Sequence, residues 1–111
     1  MEHSEKRQSN RAACEIESAF RSMEAGPGTA EETLVHDISE GGVRFRANRF
    51  IPVHDRLLVR LRIPHQKTIE AVVQPAWVRE IPSLNQYDIG AKFLSLSDSD
   101  RAIIRAFTQN F

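Results

Sequence analysis

Period-two alternation runs through most of this chain, and it narrows the available folds more than any other feature. From Arg56 to Ile63 the side chains of Leu57, Val59, Leu61 and Ile63 fall on one face of an extended segment, with Arg60 and Arg62 on the other. That is the pattern of a strand with one side in a core and one in water. It recurs from Ala13 to Phe20, where Cys14, Ile16, Ser18 and Phe20 share a face against Glu15, Glu17 and Ala19. It recurs again from Val43 to Arg46, with Val43 and Phe45 inward, and from Tyr87 to Phe93, where Asp88, Gly90 and Lys92 form the polar side. Glu32 to Ile38 is a further strand. Thr68 to Val73 and Ala76 to Ile81 read as one long strand interrupted at Gln74-Pro75. Proline has no N–H to give to a ladder, so a bulge or a sheet edge is predicted there.

Breakers separate these segments: Glu24-Ala25-Gly26-Pro27-Gly28, the connection from Asn48 to Asp55, Pro64-His65-Gln66-Lys67, and Pro82-Ser83-Leu84-Asn85. Short strands with frequent turns predict a barrel or a sandwich, closure having the merit of removing exposed edges. The last segment changes period. Ser97-Asp98-Ser99-Asp100 supplies an N-cap hydroxyl and first-turn carboxylates, and Ile103, Ile104, Phe107 and Phe111 follow at helical spacing. The reading is all-β with a C-terminal helix at about 98–109, in one domain, since 111 residues suit a single core. Residues 1–12 are read as a polar N-terminal arm carrying Lys6, Arg7 and Arg11, and residues 13–111 as the folded unit.

Charge and composition exclude several functions. The 15 basic and 15 acidic side chains balance, which argues against a protein that coats nucleic acid, though a few local arginines can still hold a small anion. The single cysteine, Cys14, excludes an internal disulfide. With no signal-peptide pattern at the start and no apolar run long enough to span a bilayer, a soluble cytoplasmic protein without membrane insertion is expected. His3, His36, His54 and His65 are scattered without ligand spacing, so no metal site is expected. Ser39, Asp37 and a histidine could be assembled on paper into a hydrolase, but there is no nucleophile elbow. No phosphate-binding glycine loop occurs either, and an enzyme is not expected.

The chemistry that does stand out lies in Asp37-Ile38-Ser39-Glu40-Gly41-Gly42. Between two strands this reads as a polar turn. Asp37 and Ser39 face one side and Ile38 the other, and Gly41-Gly42 offers positive φ and close approach by another group. One reading is a hairpin turn whose Asp and Ser satisfy backbone groups. The other joins it to the arginines upstream. A guanidinium matches a phosphate or the O6/N7 edge of guanine, and a carboxylate accepts the N1 and N2 protons on guanine's other edge. Arg7 or Arg11 with Asp37 could therefore hold a guanine from two sides. Adenine would leave an arginine unpaired, at roughly 1–3 kcal/mol per lost bidentate pair.

In these residues the chain resembles the PilZ domain family. Arg7-Gln8-Ser9-Asn10-Arg11 matches its RxxxR motif, and Asp37 to Gly42 matches its (D/N)xSxxG motif. Further similarity runs through Arg56 to Ile63 and Tyr87 to Phe93. The resemblance implies a six-stranded antiparallel β-barrel with a C-terminal helix, acting as a receptor for the bacterial second messenger cyclic di-GMP. It implies that Arg7 and Arg11 clamp the ligand, that Asp37 reads a guanine, that Ser39 hydrogen-bonds, and that Gly41 and Gly42 allow close approach. Lys6, just before the first motif, occupies a position that influences whether one ligand or an intercalated pair is bound. Trp77 is read as strand packing or as an aromatic wall beside a guanine. No cofactor beyond the messenger is implied, and an unidentified downstream protein would receive the signal. Two other readings stand beside this one: a PilZ-like adaptor that binds no nucleotide, and an oligonucleotide-binding barrel. The latter would need more exposed aromatics and a basic groove.

Overall fold

The structure, a computed structural model, describes residues 11–24, 28 and 30–110; Arg11 is described by its backbone alone. Six strands follow in order: β1 (Arg11–Ser22), β2 (Glu31–Ser39), β3 (Gly42–Ala47), β4 (Leu57–Leu61), β5 (Ile69–Ile81) and β6 (Gln86–Ser95). A single 3-10 turn at Pro82–Leu84 joins the last two, and helix α1 (Asp98–Thr108) ends the described chain. Every pairing is antiparallel, and the order β1-β2-β3-β6-β5-β4 closes when β4 pairs with β1. The choice between barrel and sandwich thus falls to the barrel.

The inward face is built from the alternating apolar residues. Ile16, Phe20, Val35, Ile38, Phe45, Leu57, Leu61, Val73 and Ile89 are fully buried. The Phe20 and Phe45 rings meet at 5.0 Å between centroids, an aromatic pair worth about 0.5–1.5 kcal/mol beyond its area. Ser97 accepts the Asp100 N–H at 3.1 Å to cap α1, as its sequence position predicts. Ile104 of that helix is fully buried and Ile103 and Phe107 pack against the core, while Phe111 lies outside the described residues.

Three details depart from simple alternation. β1 begins at Arg11, before the expected Ala13, because Arg11, Ala12 and Ala13 are paired with Ser39, Ile38 and Asp37. Between Ala13 and Ile16 the register slips, so Cys14 and Glu15 together face one residue of β2. This bulge removes Cys14 from the buried row it would share with Ile16 and leaves it half-buried. Ala19, expected outward, is buried; its cross-strand neighbours Glu32 and Arg60 have side chains long enough to overtop a methyl group. In β5 the expected irregularity is present, a register shift between Pro75 and Trp77. The ladder with β4 ends at Leu57 opposite Val73, so Pro75 sits where no β4 carbonyl requires its missing N–H.

Candidate functional site

One cross-strand row organises the outer surface. Ala13 pairs with Asp37, Asp37 with Arg44, Arg44 with Gly90, and Gly90 with Trp77. A depression of about 290 Å³ lies over this row, lined among others by Asp37, Ser39, Gly41, Gly42, Arg44 and Trp77. Five residues named from the sequence thus meet in one place. The remaining three are Lys6 and Arg7, which lie outside the described residues, and Arg11, whose backbone alone is described. That backbone is informative: Arg11 pairs directly with Ser39, so the end of the first motif is a ladder neighbour of the second.

The second motif is a turn and also the floor of the depression. Ile38 is buried inward while Asp37 and Ser39 face out. Ser39 Oγ accepts the Gly41 N–H at 3.1 Å, and the Gly41 carbonyl accepts the Phe93 N–H at 2.9 Å. Ser39 therefore does what a turn hydroxyl does. Asp37 Oδ2 accepts from Arg44 Nε at 3.1 Å. Neither glycine adopts the left-handed backbone anticipated for it. Gly42 is needed for space of a different kind. A Cβ there would strike the Ala91 carbonyl and come within 3.1 Å of Lys92 Cα, so the close neighbour is the chain's own β6. Gly41 has no such constraint, its nearest obstacle being Ser39 Oγ at 3.6 Å.

Trp77 packs against the sheet and stays partly open. Its indole lies across Gly90, where a Cβ would fall within 2.6 Å of Cζ2 and closer still to Cε2 and Nε1. Yet the residue remains 41% exposed and lines the depression. The guanidinium of Arg79 stands 5.7 Å from the indole centroid, within cation–π range.

The sequence alone did not single out Asp88. Its side chain is only 2% exposed although it faces outward, because arginines cover it. Arg44 Nη1 donates to Asp88 Oδ1 and Oδ2 at 3.2 Å each, and Arg79 Nη2 donates to Oδ2 at 2.9 Å. A continuous chain of charges results, Asp37–Arg44–Asp88–Arg79, ending against Trp77. Burial opposes the charge on Arg44, but the hydrogen bonds and fields of Asp37 and Asp88 outweigh it and raise its pKa. The cue in the sequence was an acidic residue and a glycine, Asp88 and Gly90, together on the polar face of a strand.

Groups nearby are chemically quiet. Cys14 has its thiol pushed up to about 11, chiefly by burial and then by the field of Asp37, against the opposing field of Arg44. It donates weakly to the Val35 carbonyl at 3.6 Å and is not a nucleophile at neutral pH. His36 is held below its ordinary value by burial and by Arg46 and Arg44. No cluster able to hold a metal ion occurs among the described residues, and none of their helices is long and apolar enough to cross a membrane. From the far side, α1 grips the motif turn. Arg105 donates to both Glu40 carboxylate oxygens at 2.9 and 3.0 Å, and Arg101 Nη1 donates to the Glu40 carbonyl at 3.2 Å.

Comparison with known proteins bears on this arrangement. A search of curated protein sequences found no match. Among solved structures, the fold is similar to the inhibitor of motility MotI/DgrA of Bacillus subtilis, with a TM-score of 0.81 at 15% identity. That alignment covers 99% of this chain but 51% of the other, so the chain spans about half its length. It is also similar to the PilZ domain, with c-di-GMP, of YcgR from Escherichia coli, with a TM-score of 0.70 at 12% identity, covering 95% of this chain and 90% of that one. At such identities the likeness is one of fold. The sequence model of the PilZ domain matches residues 5–110. A six-stranded closed barrel, its C-terminal helix and a family match over nearly the whole chain lead to one conclusion: the chain belongs to the PilZ domain family.

Proposed function

We propose that this protein is a receptor for cyclic di-GMP, without catalytic activity, that passes the signal to a partner protein. The observation that carries the reading is the register of β1 on β2. The backbone of Arg11, the last residue of the RxxxR motif, pairs with Ser39 on the strand that also carries Asp37, at the edge of the depression that Asp37 and Ser39 line, and this supports the reading. Guanidinium donors and a carboxylate acceptor on adjoining strands are the complementary halves of a guanine site. Asp37 takes the N1 and N2 protons of a guanine, Ser39 and the bare backbone at Gly41-Gly42 meet the ligand from below, and the half-exposed Trp77 ring offers a stacking surface. Arg7 and Arg11 supply the donors to guanine and phosphate, with Lys6 beside them. In this mechanism the arm that precedes β1, residues 1–10, orders over the messenger and changes the surface that a partner meets. The YcgR domain, a solved relative in fold, has c-di-GMP in its structure.

Calorimetric titration with cyclic di-GMP tests the reading. Micromolar or tighter binding, lost in Arg11→Ala and in Asp37→Ala, is the expected result. Absence of binding by the wild type would sink it and leave a PilZ-type adaptor that works through protein contacts alone.

A further inference from the structure

We infer that Lys92 is a phosphate-contacting residue of the ligand site, reaching it from the β6 side. This rests on the cyclic di-GMP reading above and deepens it. Lys92 follows the buried Ala91 and precedes Phe93, which packs against the core. Its side chain therefore faces outward, is exposed, and lines the same depression as Asp37 and Trp77. It belongs to neither sequence motif, and β2 and β3 separate its strand from that of Arg11.

Several outward cations of the barrel are met by a carboxylate. Arg60 has Glu70, Arg62 has Glu32 and Arg49 has Glu31; in the depression itself Arg44 has Asp37 and Asp88. Lys92 makes no ion pair among the described residues, and its place in the ladder explains why. Its neighbour on β3 is Gly42, which has no side chain. Its neighbour on β5 is Gln74, whose amide donates to the Val53 carbonyl at 3.4 Å. Glu40, in the adjoining turn, is held by Arg105. The methyl group that Gly42 lacks would lie 3.1 Å from Lys92 Cα, so glycine leaves the lysine stem uncovered on the side of the motif turn.

An ammonium without a counter-charge at the rim of a cleft attracts an anion. The anionic parts of the messenger are its two phosphates; its guanines are uncharged. Lys92 stands two residues along β6 from Gly90, hence about 7 Å from the row that joins Asp37, Arg44, Gly90 and Trp77. A sugar spans that interval between a base over the row and its phosphate. Lysine is a compact point charge with three donors, suited to a phosphate oxygen and blind to the base. In this division Lys92 supplies affinity from the β6 side and leaves the choice of base to Asp37.

Calorimetric titration with cyclic di-GMP, at low and at high salt, on the wild type, Lys92→Gln and Lys92→Arg tests this. Lys92→Gln is expected to bind about tenfold more weakly at low salt, the loss of one charge-assisted contact at an exposed position. Lys92→Arg keeps the charge and should stay within about threefold of the wild type. Raising the salt weakens the wild type more than Lys92→Gln, because the contact that salt screens is absent from the variant. The side chain is exposed, so the ligand-free variants should melt with the wild type, which separates a lost contact from a damaged fold. Equal binding by the wild type and Lys92→Gln, an unchanged salt dependence, or an equal loss in Lys92→Arg overturns this inference alone. No binding by the wild type overturns it together with the receptor reading.

Discussion

Three glycines in and beside the site make a graded test of the packing argument. At Gly41 an added methyl meets only Ser39 Oγ, at 3.6 Å, an ordinary contact. The backbone there is not left-handed, so Gly41→Ala is expected within about 0.5 kcal/mol of wild type, with the unfolded-chain entropy gain pulling toward stabilisation. At Gly90 the methyl enters the Trp77 indole. That ring is 41% exposed and can turn outward, so the cost is at the low end of overpacking, about 1 kcal/mol. At Gly42 the obstacle is backbone, the Ala91 carbonyl and Lys92 Cα, and Gly42 itself pairs with Lys92. Relief requires β3 and β6 to part, so Gly42→Ala should cost about 3 kcal/mol or more. For a domain of this size each kcal/mol moves Tm by roughly 4–8 °C. Thermal unfolding followed by circular dichroism should therefore give no resolvable loss, then roughly 5 °C, then 12 °C or more. Trp77 is the sole tryptophan, so its emission reports Gly90→Ala alone and should shift to the red as the ring leaves the surface. Equal losses at Gly41 and Gly42, or an unmoved emission in Gly90→Ala, would refute the reasoning.

Other consequences are simpler to measure. Cys14, with its thiol at about 11 rather than 9.0, should react with a maleimide or a disulfide reagent at pH 8 about a hundredfold more slowly than the unfolded chain, through its smaller thiolate fraction. His36 has a folded pKa below the unfolded value near 6.5. Its neutral form is favoured by the fold, so its contribution to stability is present above pH ~6.5 and lost as pH falls through the folded value. Between pH 7 and 5 the wild type should lose more stability than His36→Gln in denaturant melts, and nuclear magnetic resonance titration of His36 should give a midpoint below that of an exposed histidine. Removing the α1 cap with Ser97→Ala, which leaves the Asp100 N–H unpaired, should cost about 1 kcal/mol, seen as a lower denaturant midpoint at constant slope.

What the sequence determined by itself was considerable. Alternation located all six strands, the change of period located α1, and Ser97 announced its own role as a cap. Asp37, Ser39 and the two glycines were legible as a polar turn. These are local properties: which way a side chain points follows from its neighbours in sequence. Nothing local announces which strands will be adjacent or in what register. Only the closed barrel placed Arg11 opposite Ser39 and brought Asp88 beneath Arg44, 44 residues away in sequence. Only the bulge between Ala13 and Ile16 moved Cys14 out of the core row. The two glycines whose side chains had no room, Gly42 and Gly90, owe that to Ala91 and Trp77 on neighbouring strands. Cross-strand distances are set by topology and by register shifts of a single residue, and a period-two pattern is blind to both.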